Sequence, residues 1–137
     1  MHERIRRSFT VVVSFLLLLA TGSGPVATAK PPARTYTIID LGTLGGPDST
    51  AQGINARGQV VGYSNPAGSS NIQYHAFLWE ASTGMQDLGT LGGLISLAFG
   101  INARGEVVGH SHTAAGRSHA FLWKAGTGMQ DLDISKE

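Results

Sequence analysis

The chain is predicted to be all-β, built from two blade-like, four-stranded antiparallel repeats. Three observations carry this. A 25-residue block, residues 40–64, returns at 87–111 with 19 identical positions. Each copy divides into short apolar runs separated by glycine-rich turns. Within those runs the large residues alternate to both faces of an extended chain, so both faces need cover.

The repeat opens on Asp-Leu-Gly-Thr-Leu-Gly-Gly, at 40–46 and again at 87–93. This run fits neither a nucleotide-binding loop nor a dinucleotide fingerprint, because no Gly-Lys-Ser/Thr and no helix follow. It reads as a corner between strands. The first strand is expected over residues 49–54 and 94–101, and the second over 59–63 and 106–110. Between them the turn 55–58 recurs at 102–105. There Asn55 and Asn102 favour the first turn position, while Gly58 and Gly105 accept the positive φ that closes a type I turn with a bulge.

The third strand is the block His-Ala-Phe-Leu-Trp, at 75–80 and 119–124 when the following charged residue is included. Ala76 and Leu78 point one way, Phe77 and Trp79 the other, and Ala120, Leu122, Phe121 and Trp123 repeat the arrangement. Phe77, Leu78, Trp79, Phe121, Leu122 and Trp123 are therefore expected to form the core between sheets. A Thr-Gly turn leads to a fourth strand at 85–88 and 129–132. Residues 36–41 (YTIIDL) match this fourth strand and are expected to form an extra copy ahead of the first repeat. The repeats thus run over about 40–86 and 87–133, within a β domain at 36–134. The first copy is longer by three residues between Ser64 and His75, as a surface loop tolerates.

The N-terminus reads as a secretory signal. Arg4, Arg6 and Arg7 precede a 12-residue apolar run at 9–20, too short to span a bilayer. Ala27 and Ala29 supply the small residues of a cleavage site, placing the cut after Ala29 and leaving residues 30–35 as a linker. The export compartment is expected to be the periplasm, the cell surface or the medium, with no membrane span after cleavage. The whole chain holds ten Lys and Arg against nine Asp and Glu. Residues 30–137 keep seven and eight of these, too balanced to engage phosphates, so nucleic acid is not an expected partner. The chain has no cysteine, so neither a disulfide nor lipid attachment supports it.

In this order, the motifs DLGTLGG, GINxxGxVVG, HAFLW and GMQDL resemble those of the HAF-repeat family of bacterial extracellular proteins. The resemblance covers about residues 35–133. It implies a secreted or cell-surface protein with propeller-like blades and brings no catalytic residues with it. Two units depart from longer family members, and the second ends in Asp131-Leu132-Asp133-Ile134 where another corner is expected. Closed propellers take about four to eight blades. Three outcomes meet that constraint: a small two-blade sandwich, self-association into a larger ring, or a truncated piece of a longer repeat protein.

Candidate chemistry is sparse. His75 and His119 recur once per repeat, as a structural residue does, and are expected to fix the strand start by bonding to a neighbouring loop such as the Asp-Leu-Gly corner. Asp40, Asp87 and Asp131 are expected to cap turns through the amide two residues on. His110 and His112 stand at i and i+2, on one side of a strand, where imidazoles can hold a metal; His119 is a third candidate ligand. Tyr63 and Asn65 occupy the matching places in the first repeat, and no cysteine or carboxylate completes a metal-site spacing. No nucleophile motif or acid–base pair is present, so no cofactor and no catalytic residue is assigned. The expectation is a non-enzymatic binding or structural module that takes a protein or glycan ligand, or a second copy of itself. Its interaction surface is expected at segments that differ between repeats: 47–50, 65–74, 94–97 and 112–118. The competing expectations are a metal-binding or enzymatic module centred on His110 and His112, and a remnant of a longer protein.

Overall fold

A computed structural model describes residues 33–69 and 72–133. The signal reading of residues 1–29 lies outside them. Every strand among the described residues lies in one compact unit that begins at Thr37. Within this unit the chain is all-β, with two four-stranded antiparallel sheets and no helix among the described residues.

The first sheet runs β1 (Gly45–Ile54), β2 (Val60–Pro66), β3 (His75–Glu80) and β4 (Gly84–Asp87), in sequence order across the sheet. The second repeats it as β5 (Gly92–Ile101), β6 (Val107–Thr113), β7 (Ser118–Lys124) and β8 (Gly128–Asp131). The first strand of each blade is longer than the sequence pattern predicts and begins inside the double glycine. Each carries two register shifts, after Gly45 and Ala51 and after Gly92 and Ala98. The turns form with the hydrogen bonds a type I hairpin requires. The Gly58 and Gly105 amides each donate to the Asn55 and Asn102 carbonyl at 3.0 Å, with φ of 76° and 83°.

Strand register sorts each blade into two faces. Val60 lies opposite Trp79 and Gly62 opposite Phe77, so these share what we term the front face; Val61, Leu78 and Ala76 share the back. Val107, Gly109, Phe121 and Trp123 form the front of the second blade, and Val108, His110, Ala120 and Leu122 its back. The core is the back of blade 1 against the front of blade 2: Val61, Ala76, Leu78 and Leu88 pack with Ala98, Val107, Phe121 and Trp123. Each fully buried large side chain there contributes about 1.5–3 kcal/mol.

The expected core is corrected in three places. Leu122 lies on the back of blade 2 and is only half-buried, Trp79 is half-buried on the front of blade 1, and Phe77 is buried but outside the inter-blade cluster. Equal sequence gives unequal burial because the back of blade 1 meets blade 2, while the back of blade 2 meets no further sheet among the described residues. The extra strand expected at 36–41 is also absent. Those residues form no strand, with Ile38 96% and Ile39 63% exposed, since no third strand among the described residues stands beside them to supply a ladder. Of the segments that differ between repeats, 47–50 and 94–97 lie within β1 and β5, and Asn65 and Ser96 are buried.

Glycine at the centre of each second strand is a packing requirement. A Cβ at Gly62 would collide with the Thr50 carbonyl, and one at Gly109 with the Leu97 carbonyl and the Phe121 ring. Gly62→Ala and Gly109→Ala are each expected to lose about 1–3 kcal/mol in denaturant unfolding. Gly53→Ala, with its nearest neighbour at 3.2 Å, is expected to lose less.

Candidate functional site

Each fourth strand ends in an aspartate that holds the histidine at the start of the third. Asp87 lies opposite Phe77, and His75 sits two residues earlier on the same face. His75 Nδ1 is 2.8 Å from Asp87 Oδ2, and His119 Nδ1 is 3.0 Å from Asp131 Oδ2. A carboxylate only accepts, so Nδ1 carries the donated hydrogen. The other aspartate oxygen caps the turn: it accepts from the Gly89 amide at 2.7 Å, or from Asp133 at 2.9 Å. Asp40 caps Gly42 in the same way at 2.9 Å, with no third strand of its own beside it.

A serine on the next blade completes the junction. Ser96, on β5, is fully buried. Its hydroxyl donates to the Gly89 carbonyl and accepts from the Ala76 amide at 2.8 Å, while its own amide donates to the Tyr74 carbonyl at 2.8 Å. The Leu88 amide donates to the Ala76 carbonyl at 2.9 Å. The start of the histidine strand is thus gripped by aspartate, leucine amide and serine together.

The same corner exists at the front of blade 1, with nothing in its grip. Ser49 occupies the place of Ser96 and donates to the Gly42 carbonyl at 2.8 Å, yet it is exposed. The corner behind it keeps the same bonds in both blades: Leu44 to the Ser64 hydroxyl at 3.0 Å, and Leu91 to the Ser111 hydroxyl at 2.8 Å. The corner therefore forms without an occupant.

The blade faces show the same asymmetry. Val61 is fully buried whereas Val108, its counterpart, is 47% exposed; Ala76 is buried whereas Ala120 is exposed. On the front, Ile101 packs on the core while Ile54 is 69% exposed. Phe77 and Val60 are buried on that front face, and Ile39, Arg57, Trp79 and Glu80 line an open cleft over it.

The metal candidates are not brought together. His110 and His112 do share a side of β6, the back of blade 2, where the His110 ring lies 5.2 Å from Phe99. His119 pairs with Ser111 on the front face, so the third nitrogen points away. His119 Nε2 also lies 3.2 Å from Asp133, so both its ring nitrogens face carboxylates. No group of three metal-ligating side chains occurs among the described residues. Sequence reasoning reached the histidines but missed Ser49 and Ser96, whose identical offset of 47 was the available signal.

Glu106 is a strongly perturbed acid. Hydrogen bonds from Arg104 and then Asn102, aided by Lys124, hold its carboxyl down at about 2, from an ordinary 4.5. A depressed carboxylate favours the folded state above its unfolded pKa, and that contribution is lost as pH falls through the folded value. Gln59 occupies the matching position in blade 1 and bonds Arg57 at 2.7 Å. Glu106→Gln is therefore expected to flatten the fall in melting temperature between pH 4.5 and 2 relative to wild type. An unchanged slope would separate Glu106 from acid sensitivity. Comparison with family models, with curated proteins and with solved structures finds no match.

Proposed function

We propose that this chain is an exported, non-enzymatic repeat module that works through its blade faces by associating head to tail with further copies. The carrying observation is the unequal burial of equivalent residues, fully buried Val61 against half-exposed Val108. One interface, back of blade 1 to front of blade 2, is satisfied within the chain. Its complementary halves, back of blade 2 and front of blade 1, are left at opposite ends. A contact of that kind is heterologous and either closes into a ring or continues as a filament. About four to eight blades close a propeller, which corresponds to two, three or four copies here. The signal-like N-terminus and the resemblance to HAF-repeat extracellular proteins support export to the periplasm, cell surface or medium. A protein or glycan ligand would then meet the assembled blade ends.

Mass measurement of the full chain in solution tests this. A defined species of two to four copies is expected, and a monomer at all concentrations would overturn it. Val108→Glu is expected to give a folded monomer whose melting temperature no longer depends on protein concentration. Val61→Glu, which buries an unpaired charge at the equivalent place, is expected to cost more than about 3 kcal/mol of folding stability.

A further inference from the structure

Resting on the head-to-tail reading above, we propose that Thr37–Leu41 is a donated strand. In the assembly it replaces β8 along β7 of a second copy, and Asp40 grips that copy's His119. The motif is fully worked out once inside the chain: Asp87 holds His75, the Leu88 amide bonds Ala76, and the Ser96 hydroxyl bonds Ala76 from the other side. Asp40, Leu41 and Ser49 are the same residue types at the same spacing, on a corner whose own hydrogen bonds are already formed. All that the corner lacks is a His-Ala strand, and the chain has one at its far end, His119–Ala120 on β7.

That strand already carries β8, so two segments compete for one edge. The corner at 40–46 settles which sits there in the assembly. The Gly42 carbonyl occupies, relative to Ser49, the place of the Gly89 carbonyl relative to Ser96, and a retained Leu132–Asp133 would fall on it. The exchange releases Met129, which packs against the core from β8, and brings in two isoleucines. In the β8 register Met129 lies opposite Trp123 and Gln130 opposite Leu122. In the donated strand Ile38 and Ile39 take those places. Two β-branched residues, now 96% and 63% exposed, would enter a ladder, with Ile39 opposite Leu122 in place of Gln130. Main-chain bonds supply affinity and alternate side chains supply register, as in other strand additions.

The two aspartates separate this exchange from simple stacking. Both are tested in the full chain, by sedimentation over a range of concentrations. Asn can still cap the turn, so Asp40→Asn and Asp131→Asn leave the corners intact while weakening the histidine bond. Strand exchange predicts that Asp40→Asn raises the dissociation constant about tenfold, and that Asp131→Asn leaves it unchanged or lowers it. If wild type associates but Asp40→Asn is silent, or Asp131→Asn weakens association as much, the donated strand is overturned and head-to-tail stacking stands. If wild type is monomeric throughout, the stacking itself fails and the exchange with it.

Discussion

One buried hydroxyl organises the junction between the blades. Ser96 belongs to the second sheet, yet its bonds reach the connecting corner at Gly89 and the entry to β3 at Tyr74 and Ala76. These bonds satisfy the strand-end amide of Ala76 and two backbone carbonyls where the sheets meet, in a place closed to water. A buried polar group left without such partners costs about 1–3 kcal/mol, so the serine decides how closely the sheets can approach. The apolar seam of Val61, Leu78, Phe121 and Trp123 then closes around it.

The histidines owe their position to the same arrangement. His75 and His119 stand at the first turn of chain into the central strand, and a carboxylate from the next strand fixes each ring. In an enzyme a histidine so oriented would offer its second nitrogen to a nucleophile. In His119 that nitrogen faces Asp133 instead. The pair serves to lock the last strand of a blade to the one before it, a short strand of four residues that has few ladder bonds of its own.

How much of this was legible in the sequence depends on whether a feature is local or borrowed from a neighbour. The hairpin turns at Asn55 and Asn102 were legible because the residues that form them lie within the turn. The third strand was legible because its alternation of Ala, Phe, Leu and Trp has a period of two. The fate of residues 36–41 was not legible. Their composition matches a strand, but a strand is defined by its partner, and composition is silent about who stands alongside. Val61 and Val108 make the same point for burial: identical neighbours in sequence, and opposite surroundings in space. The serine junction was hidden for a further reason, since a lone serine carries no periodic signal and only the repeat offset marks it.

The corner that joins β4 to β5 has a consequence for how such proteins grow. Where the corner is covalently continuous, the next blade finds its site at an effective concentration of order millimolar, set by a few residues of chain. Where it is interrupted, the same contact must be made by a free molecule and depends on dilution. Fusing one more repeat onto the end would turn a second-order encounter into a first-order folding step without changing any contact. Under the proposed head-to-tail reading, the number of repeats per chain would tune the concentration at which the blades associate without changing the contact itself.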